Sequence, residues 1–264
     1  MDIEGRRGAK KRRKRRLVAV VCCVVLVLLV VVVVLAVVLS NRSGPFKETF
    51  IEKCERVTAE SKRPADCVKV WSAFERAYVG RDPCQVPVEA YDHLISTAPP
   101  HPACNRMMFW SGTKDVVHQA SKGCYQTMED SMLGAVLDGH TWCGKEGSNG
   151  KRLLLSFWGR ASTEFAAVAC GNTTVMLNGS RTTPFSPTSI FASIEVKKFT
   201  SDRMSSLTVV MVTNDNVLAN CTDKSLKDLR KELAPGIKYI CKEVTESDLF
   251  TCKNKPDKTC GPCW

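Results

Sequence analysis

A transmembrane helix followed by a two-lobed, disulfide-stapled ectodomain of mixed α+β and α/β class is the fold this sequence predicts. The first lobe reads as mostly helical, the second as a short, mainly parallel sheet with flanking helices. Three observations lead there: an apolar run at residues 17–39, an even set of cysteines beyond it, and a change of hydrophobic period after Cys170.

Leu17–Leu39 holds twenty-three residues with neither a charge nor a proline. At about 1.5 Å rise per residue, a helix of that length covers the roughly 30 Å hydrocarbon core of a bilayer. A cleaved signal peptide has a shorter apolar core, about 7–15 residues, and a small-residue cleavage site. Ala36 to Leu39 is a poor site of that kind, and a soluble helix carries a polar stripe that this run lacks. Residues 6–16 set nine Lys and Arg before the run, so the positive-inside rule leaves residues 1–16 as a cytosolic tail. Residues 40–49 then read as a stalk and 50–264 as the ectodomain of a single-pass type II protein.

With Asp2 and Glu4, the tail carries +7 of the formal charge of +11 and leaves about +4 for the rest. A nucleic-acid-binding protein would carry its basic residues on the folded part, which excludes that class. The tail reads as a topology signal and also suits an anionic inner leaflet. Cys22 and Cys23 lie in the apolar run, and the other twelve cysteines lie beyond it, where an oxidising compartment makes most of them disulfides. Asn172, Asn178 and Asn220 head Asn-x-Ser/Thr sequons on the same side and are candidate glycosylation sites.

In chain order, Val70, Phe74, Ala77 and Tyr78 recur at helical spacing and predict an amphipathic helix over Asp66–Val79. Five prolines make 80–105 loop-rich, with one helix near Val88–Ser96. Thr127 is an N-cap candidate for a helix reaching Leu137, with Glu129 and Asp130 in its first turn. Phe157–Cys170 again has helical spacing. Beyond it, Thr174–Leu177, Ile190–Val196, Leu207–Val212 and Ile237–Cys241 are short β-branched runs, with a polar helix over Ser225–Leu233 before the last. The helical lobe thus spans about 50–142 and the α/β lobe about 157–264.

The sequence has no GxGxxG and no GxxxxGK[ST], so no phosphate-cradling loop is visible, and the four histidines form no zinc pair with nearby cysteines. Cys260-Gly-Pro-Cys263 matches a redox CxxC, but that chemistry needs a helix after the first cysteine, and the chain ends one residue later. Carboxylates and tryptophans remain. In the Ile190–Val196 run, alternation puts Phe191, Ser193 and Glu195 on one strand face. From pattern alone Glu195 reads as a solvated glutamate, Glu129 and Asp130 as complements of a helix dipole, and Trp110, Trp142 and Trp158 as core.

Taken together the pieces say more. Cys104-Asn-x4-Trp110-Ser, Thr127-Met-Glu129-Asp-Ser-Met-Leu-Gly134, Thr141-Trp-Cys-Gly144, Phe157-Trp158, Val175-Met-Leu-Asn-Gly-Ser180 and Phe191-Ala-Ser-Ile-Glu-Val196 stand in one order. That order closely resembles the vertebrate ADP-ribosyl cyclase/cyclic ADP-ribose hydrolase family, in particular its lymphocyte-surface type II ectoenzyme branch, from about Phe50 to Cys260. The resemblance implies a plasma-membrane ectoenzyme that cleaves the nicotinamide–ribose bond of NAD, with some cyclisation to cyclic ADP-ribose and its hydrolysis. It implies that Glu195 and Glu129 are catalytic, Glu195 beneath the reacting carbon and Glu129 at the nicotinamide end. It further implies that Trp110 and Trp158 wall the substrate, and that Asp138, Lys114, Ser111, Ser162 and Phe191 contact it. NAD is then the substrate, so neither a metal nor a bound cofactor is expected.

The family pattern pairs Cys54–Cys67, Cys104–Cys170, Cys221–Cys241 and Cys252–Cys260. It leaves Cys84 and Cys143 without their usual partners, so these two are expected to pair with each other. Cys124 and Cys263 stay unassigned and are candidates for a bond between chains, hence a homodimer. Three departures bear on activity: Gly112 stands where the family has an arginine, Ile190 where it has a threonine, and the connector over 145–156 is shortened. An alternative therefore stands beside the enzyme, a catalytically weakened cell-surface receptor or adhesion protein on the same scaffold.

Overall fold

Four parallel strands in the order β1-β2-β3-β4 form the sheet that positions the site: β1 Met108–Ser111, β2 Gly171–Asn178, β3 Met204–Thr213 and β4 Lys238–Thr245. The computed structural model describes residues 24–31, 46–61, 63–140, 157–214, 216–253 and 263–264. Parallel strands need crossovers, and helices supply them on both sides of the sequence-central pair. Thr173–Leu177 and Val209–Val212 are buried throughout, as expected of central parallel strands covered on both faces. β4, at the edge, has no buried residue.

Helical residues 50–61 and a helix at Cys67–Tyr78 open the compact unit Phe50–Trp264, joined by the Cys54–Cys67 disulfide. Asp66 caps the second helix by accepting from Lys69 N at 3.0 Å, and Val70, Trp71, Phe74 and Ala77 form its buried stripe. Phe50, Trp71 and Phe74 meet at ring centroid distances of 5.3–5.7 Å. Helix Phe157–Ala167 packs its Phe165 edge-on to Phe109 of β1, 5.3 Å between centroids. β1 lies within the stretch that the sequence assigns to the helical lobe, so the sheet extends across the expected lobe boundary.

Two expected elements differ. The helix expected from Thr127 is broken in two. Thr127 closes a capping box with Asp130 around the short turn Met128–Asp130, and Ser131 then caps helix Met132–Leu137 through Gly134 N. The strand expected over Ile190–Val196 is a π-helical turn, Phe191–Glu195, running into a 3-10 turn, Val196–Lys198. Its buried residues are Phe191, Ala192, Glu195 and Val196, which is helical spacing and not alternation. Ser189 starts the turn by accepting from Ala192 N at 3.1 Å, a local cap that favours helix over strand.

The disulfides Cys104–Cys170 and Cys221–Cys241 stand as expected, but Cys252 pairs with Cys263 and not with Cys260. Cys263 is therefore not available to a second chain. Cys84 and Cys124 are disulfide-bonded as well, while Cys143 and Cys260 lie outside the described residues. In the separate unit Met1–Thr49, residues 24–31 are helical with exposed apolar side chains. Among the described residues no helix is long and apolar enough to cross a membrane, and the rest of the 17–39 run and the connector over 145–156 lie outside them.

Candidate active site

A cavity of about 530 Å³ opens where β1 ends, the end of a parallel sheet at which α/β folds place their ligands. Trp110, Ser111 and Gly112 reach it from the last residues of β1 and the turn that follows. Trp158, Ser162 and Phe165 reach it from helix Phe157–Ala167, where spacings of four and three put them on one face. Glu129 comes from the capped turn after Thr127, Asp138 from the end of helix Met132–Leu137, and Lys114 from the start of helix Lys114–Ser121. Ile190 and Glu195 come from the π-helical turn.

Glu195 is the least ordinary of these groups. It is 6% exposed, and burial pushes its carboxyl up to about 8. A hydrogen bond with Ser162 partly opposes that rise, and the charge of Glu129 adds to it. Glu129 is itself held, because Trp110 Nε1 donates to its Oε2 at 3.3 Å. Lys114 Nζ lies 3.2 Å from Asp138, an exposed pair of the kind that contributes little to stability but fixes two side chains at the rim. Among the described residues no group of three His, Cys, Asp or Glu side chains is placed to hold a metal ion.

Eight of the nine expected site residues line this one cavity: Glu195, Glu129, Trp110, Trp158, Asp138, Ser111, Lys114 and Ser162. Phe191 does not. It is 1% exposed and packs against Phe109, Phe185 and Phe199, because the helical turn sends it into the core one position on from Ile190. Sequence reasoning passed over His140, which lines the cavity and stands edge-on to Tyr78, 5.3 Å between centroids. Burial, with the charge of Lys53, lowers its pKa and keeps it neutral at pH 7. A lone histidine after a helix carries no pattern by which to find it.

One glycosylation candidate is also re-read. The Asn178 side chain is engaged at both ends, Nδ2 donating to Gly112 O at 3.0 Å and Oδ1 accepting from Ser180 N at 2.8 Å. Its amide nitrogen, the atom a glycan would use, is part of the fold. Asn172 and Asn220 are exposed.

A buried acid in a cavity that two tryptophans also line, at the open end of a parallel sheet, defines an α/β enzyme that works with carboxylates. The profile of the ADP-ribosyl cyclase family matches residues 43–261, and the chain belongs to that family. It is 34% identical to the ADP-ribosyl cyclase/cyclic ADP-ribose hydrolase 1 of Oryctolagus cuniculus over 216 residues, 74% of this chain and 72% of the relative. Its fold is similar to that of porcine CD38 complexed with a covalent intermediate, with a TM-score of 0.66 and 29% identity over 76% of this chain and 96% of that one. It is also similar to Aplysia cyclase complexed with substrate NGD and product cGDPR, with a TM-score of 0.68 and 25% identity over 80% of this chain and 94% of that one.

Proposed function

We propose that this chain cleaves the nicotinamide–ribose bond of NAD, giving nicotinamide and ADP-ribose, and that a share of the ADP-ribosyl intermediate closes on its own adenine to cyclic ADP-ribose, which the chain also hydrolyses. The observation that carries this reading is Glu195, buried at the cavity with Ser162 on one side and Glu129 nearby. When the C1′–nitrogen bond breaks, its electron pair goes to the pyridinium nitrogen and neutralises it. C1′ is left oxocarbenium-like, and an ionised Glu195 stabilises charge that is greatest in the transition state. Water then attacks C1′ and loses a proton to give ADP-ribose, or the substrate's own adenine attacks to give the cyclic product.

Trp110 and Trp158 suit a flat cationic ring between them. Glu129, tied to Trp110, sits at the nicotinamide end and biases the fate of the intermediate. Asp138, Lys114 and Ser111 contact the substrate from the rim. Since the leaving group is part of the substrate, the reaction uses no recycled cofactor. The reading extends to location: residues 17–39 anchor the chain in the plasma membrane as a type II protein, with the site outside. The described disulfides fit an oxidising compartment, and Asn172 and Asn220 are the glycosylation sites.

Incubating the full-length protein with NAD and measuring nicotinamide, ADP-ribose and cyclic ADP-ribose together tests the reading. No nicotinamide from folded protein would leave the receptor or adhesion alternative in its place. Glu129→Gln should keep nicotinamide release within about tenfold of the parent and change the ratio of cyclic to linear product, because it acts after or beside bond cleavage. An unchanged ratio would remove Glu129 from that role.

The pH profile follows from Glu195. In the free enzyme the carboxylate is populated only as pH rises toward about 8, so kcat/KM for NAD should climb about tenfold per pH unit from pH 6 and level off above 8. In the complex, the positive pyridinium favours the ionised acid, so the kcat profile should shift to lower pH. A kcat/KM that stays flat from pH 5 to 9 contradicts a buried catalytic acid.

A further inference from the structure

Gly112 lines the cavity with a φ of +73°, and a Cβ added there would lie 2.8 Å from Cζ and Nη1 of Arg181. The guanidinium therefore rests against the bare backbone of residue 112, in the space where a side chain would stand. Asn178 fixes the approach. It donates to Gly112 O, accepts from Ser180 N, and its own carbonyl accepts from Arg181 N at 3.4 Å. Thr113 Oγ1 donates to Met176 O at 3.2 Å, so the turn after β1 is tied to β2 from its other side too. Two strand ends are thus braced together with one arginine between them.

Charge gives this arrangement a use. Glu129, Asp138 and Glu195 line the cavity, and Lys114, the only Lys or Arg among the described lining residues, lies against Asp138. A substrate carrying a diphosphate meets a surplus of negative charge there, fullest once Glu195 ionises, unless a further cation reaches it. Arg181 is exposed and, among the described residues, forms no ion pair.

Resting on the reading of the chain as an NAD-cleaving enzyme, we propose that Arg181 is the diphosphate-binding residue of this site and that Gly112 is its seat. A planar guanidinium presents two phosphate oxygens with a fixed fork of parallel N–H donors, a geometry that a lysine ammonium lacks. Gly112, standing where the family has an arginine, then leaves the site with a guanidinium all the same. It is the vacancy that admits one from the neighbouring strand end.

Calorimetric titration of the full-length protein with ADP-ribose reads this contact without turnover. Arg181→Gln should weaken ADP-ribose binding about tenfold, the scale of a charge-assisted hydrogen-bond pair, and Arg181→Lys should lose less. In steady state, Arg181→Gln should raise KM for NAD about tenfold with kcat within about twofold, the signature of lost uniform binding. Nicotinamide riboside, which has the same scissile bond and no diphosphate, should be cleaved with unchanged constants. Gly112→Ala, whose Cβ displaces the guanidinium, should weaken ADP-ribose binding in the parent but add nothing in Arg181→Gln. Unchanged ADP-ribose binding in Arg181→Gln, or an equal loss with both substrates, overturns the proposal. A parent protein that binds ADP-ribose through Arg181 yet releases no nicotinamide would sink the enzymatic reading and leave this one standing.

Discussion

Glu195→Gln should abolish nicotinamide release while making the protein more stable at neutral pH, two effects of opposite sign from one buried carboxyl. Gln keeps the shape of Glu and an oxygen for Ser162, so little else changes. On the activity side, even one preorganised electrostatic partner of a transition state is worth about 10²–10³ in kcat, and an acid facing the reacting carbon should lie at or above the upper end. KM should move far less. A variant that keeps more than about a tenth of the parent kcat would remove Glu195 from the reacting centre.

The stability half follows from linkage. The folded-state pKa of Glu195 is raised from 4.5 to about 8, so the fold prefers the neutral acid. Below pH 4.5 the acid is neutral in both folded and unfolded chains and burial carries no ionisation cost. As pH rises from 4.5 to 8 the unfolded chain gives up its proton first, and stability falls by about 1.4 kcal/mol per pH unit, on the order of 3 kcal/mol by pH 7. Gln never ionises and escapes this loss. The variant should therefore unfold at higher denaturant than the parent at pH 8, with the gap closing toward pH 4.5. A gap that does not depend on pH would mean that Glu195 is not buried as an acid.

That site was legible in the sequence as a set of motifs, and much less as a geometry. Trp110 and Glu129 are nineteen residues apart, and their hydrogen bond exists only because β1 and the Thr127 turn meet; no spacing rule contains it. Helix Cys67–Tyr78 and strands β2 and β3 were readable, because each has a clear period, a cap or a long β-branched run. β1 was not, since Met-Phe-Trp-Ser is four residues without a β-branched one. The Ile190–Val196 run failed for a different reason. Seven residues fit period 2 and period 3.6 about equally well, and the helix-starting Ser189 decided between them. That choice moved Phe191 from the site to the core and put Ile190 in the cavity. Cys252 chose Cys263 over Cys260 by a placement that cysteine spacing does not encode.

Gly134→Ala should be the most damaging small substitution in the fold, although Ala for Gly inside a helix ordinarily stabilises by about 1 kcal/mol. Gly134 sits in helix Met132–Leu137, where the turn Met128–Asp130 lies directly on it. A Cβ there would overlap Met128 O and stand 2.7 Å from Glu129 Cα and 2.9 Å from the Met128 carbonyl carbon. These are backbone atoms, held by the Thr127–Asp130 capping box and by the bond from Gly134 N to Ser131 Oγ, so no side chain can swing away to make room. The methyl must open the turn, at about 2–4 kcal/mol if overpacking and the lost cap both count. Because that turn carries Glu129, the damage should reach chemistry as well, loosening the Trp110–Glu129 bond and shifting the ratio of cyclic to linear product in the same direction as Glu129→Gln does. Ser131→Ala separates the two causes. It loses the cap without adding a methyl, and should cost about 1 kcal/mol with a smaller shift in products. If Gly134→Ala unfolds at the same denaturant concentration as the parent, the turn does not rest on the helix as described, and the glycine that ends the Thr127–Gly134 motif is there for the helix and not for the acid above it.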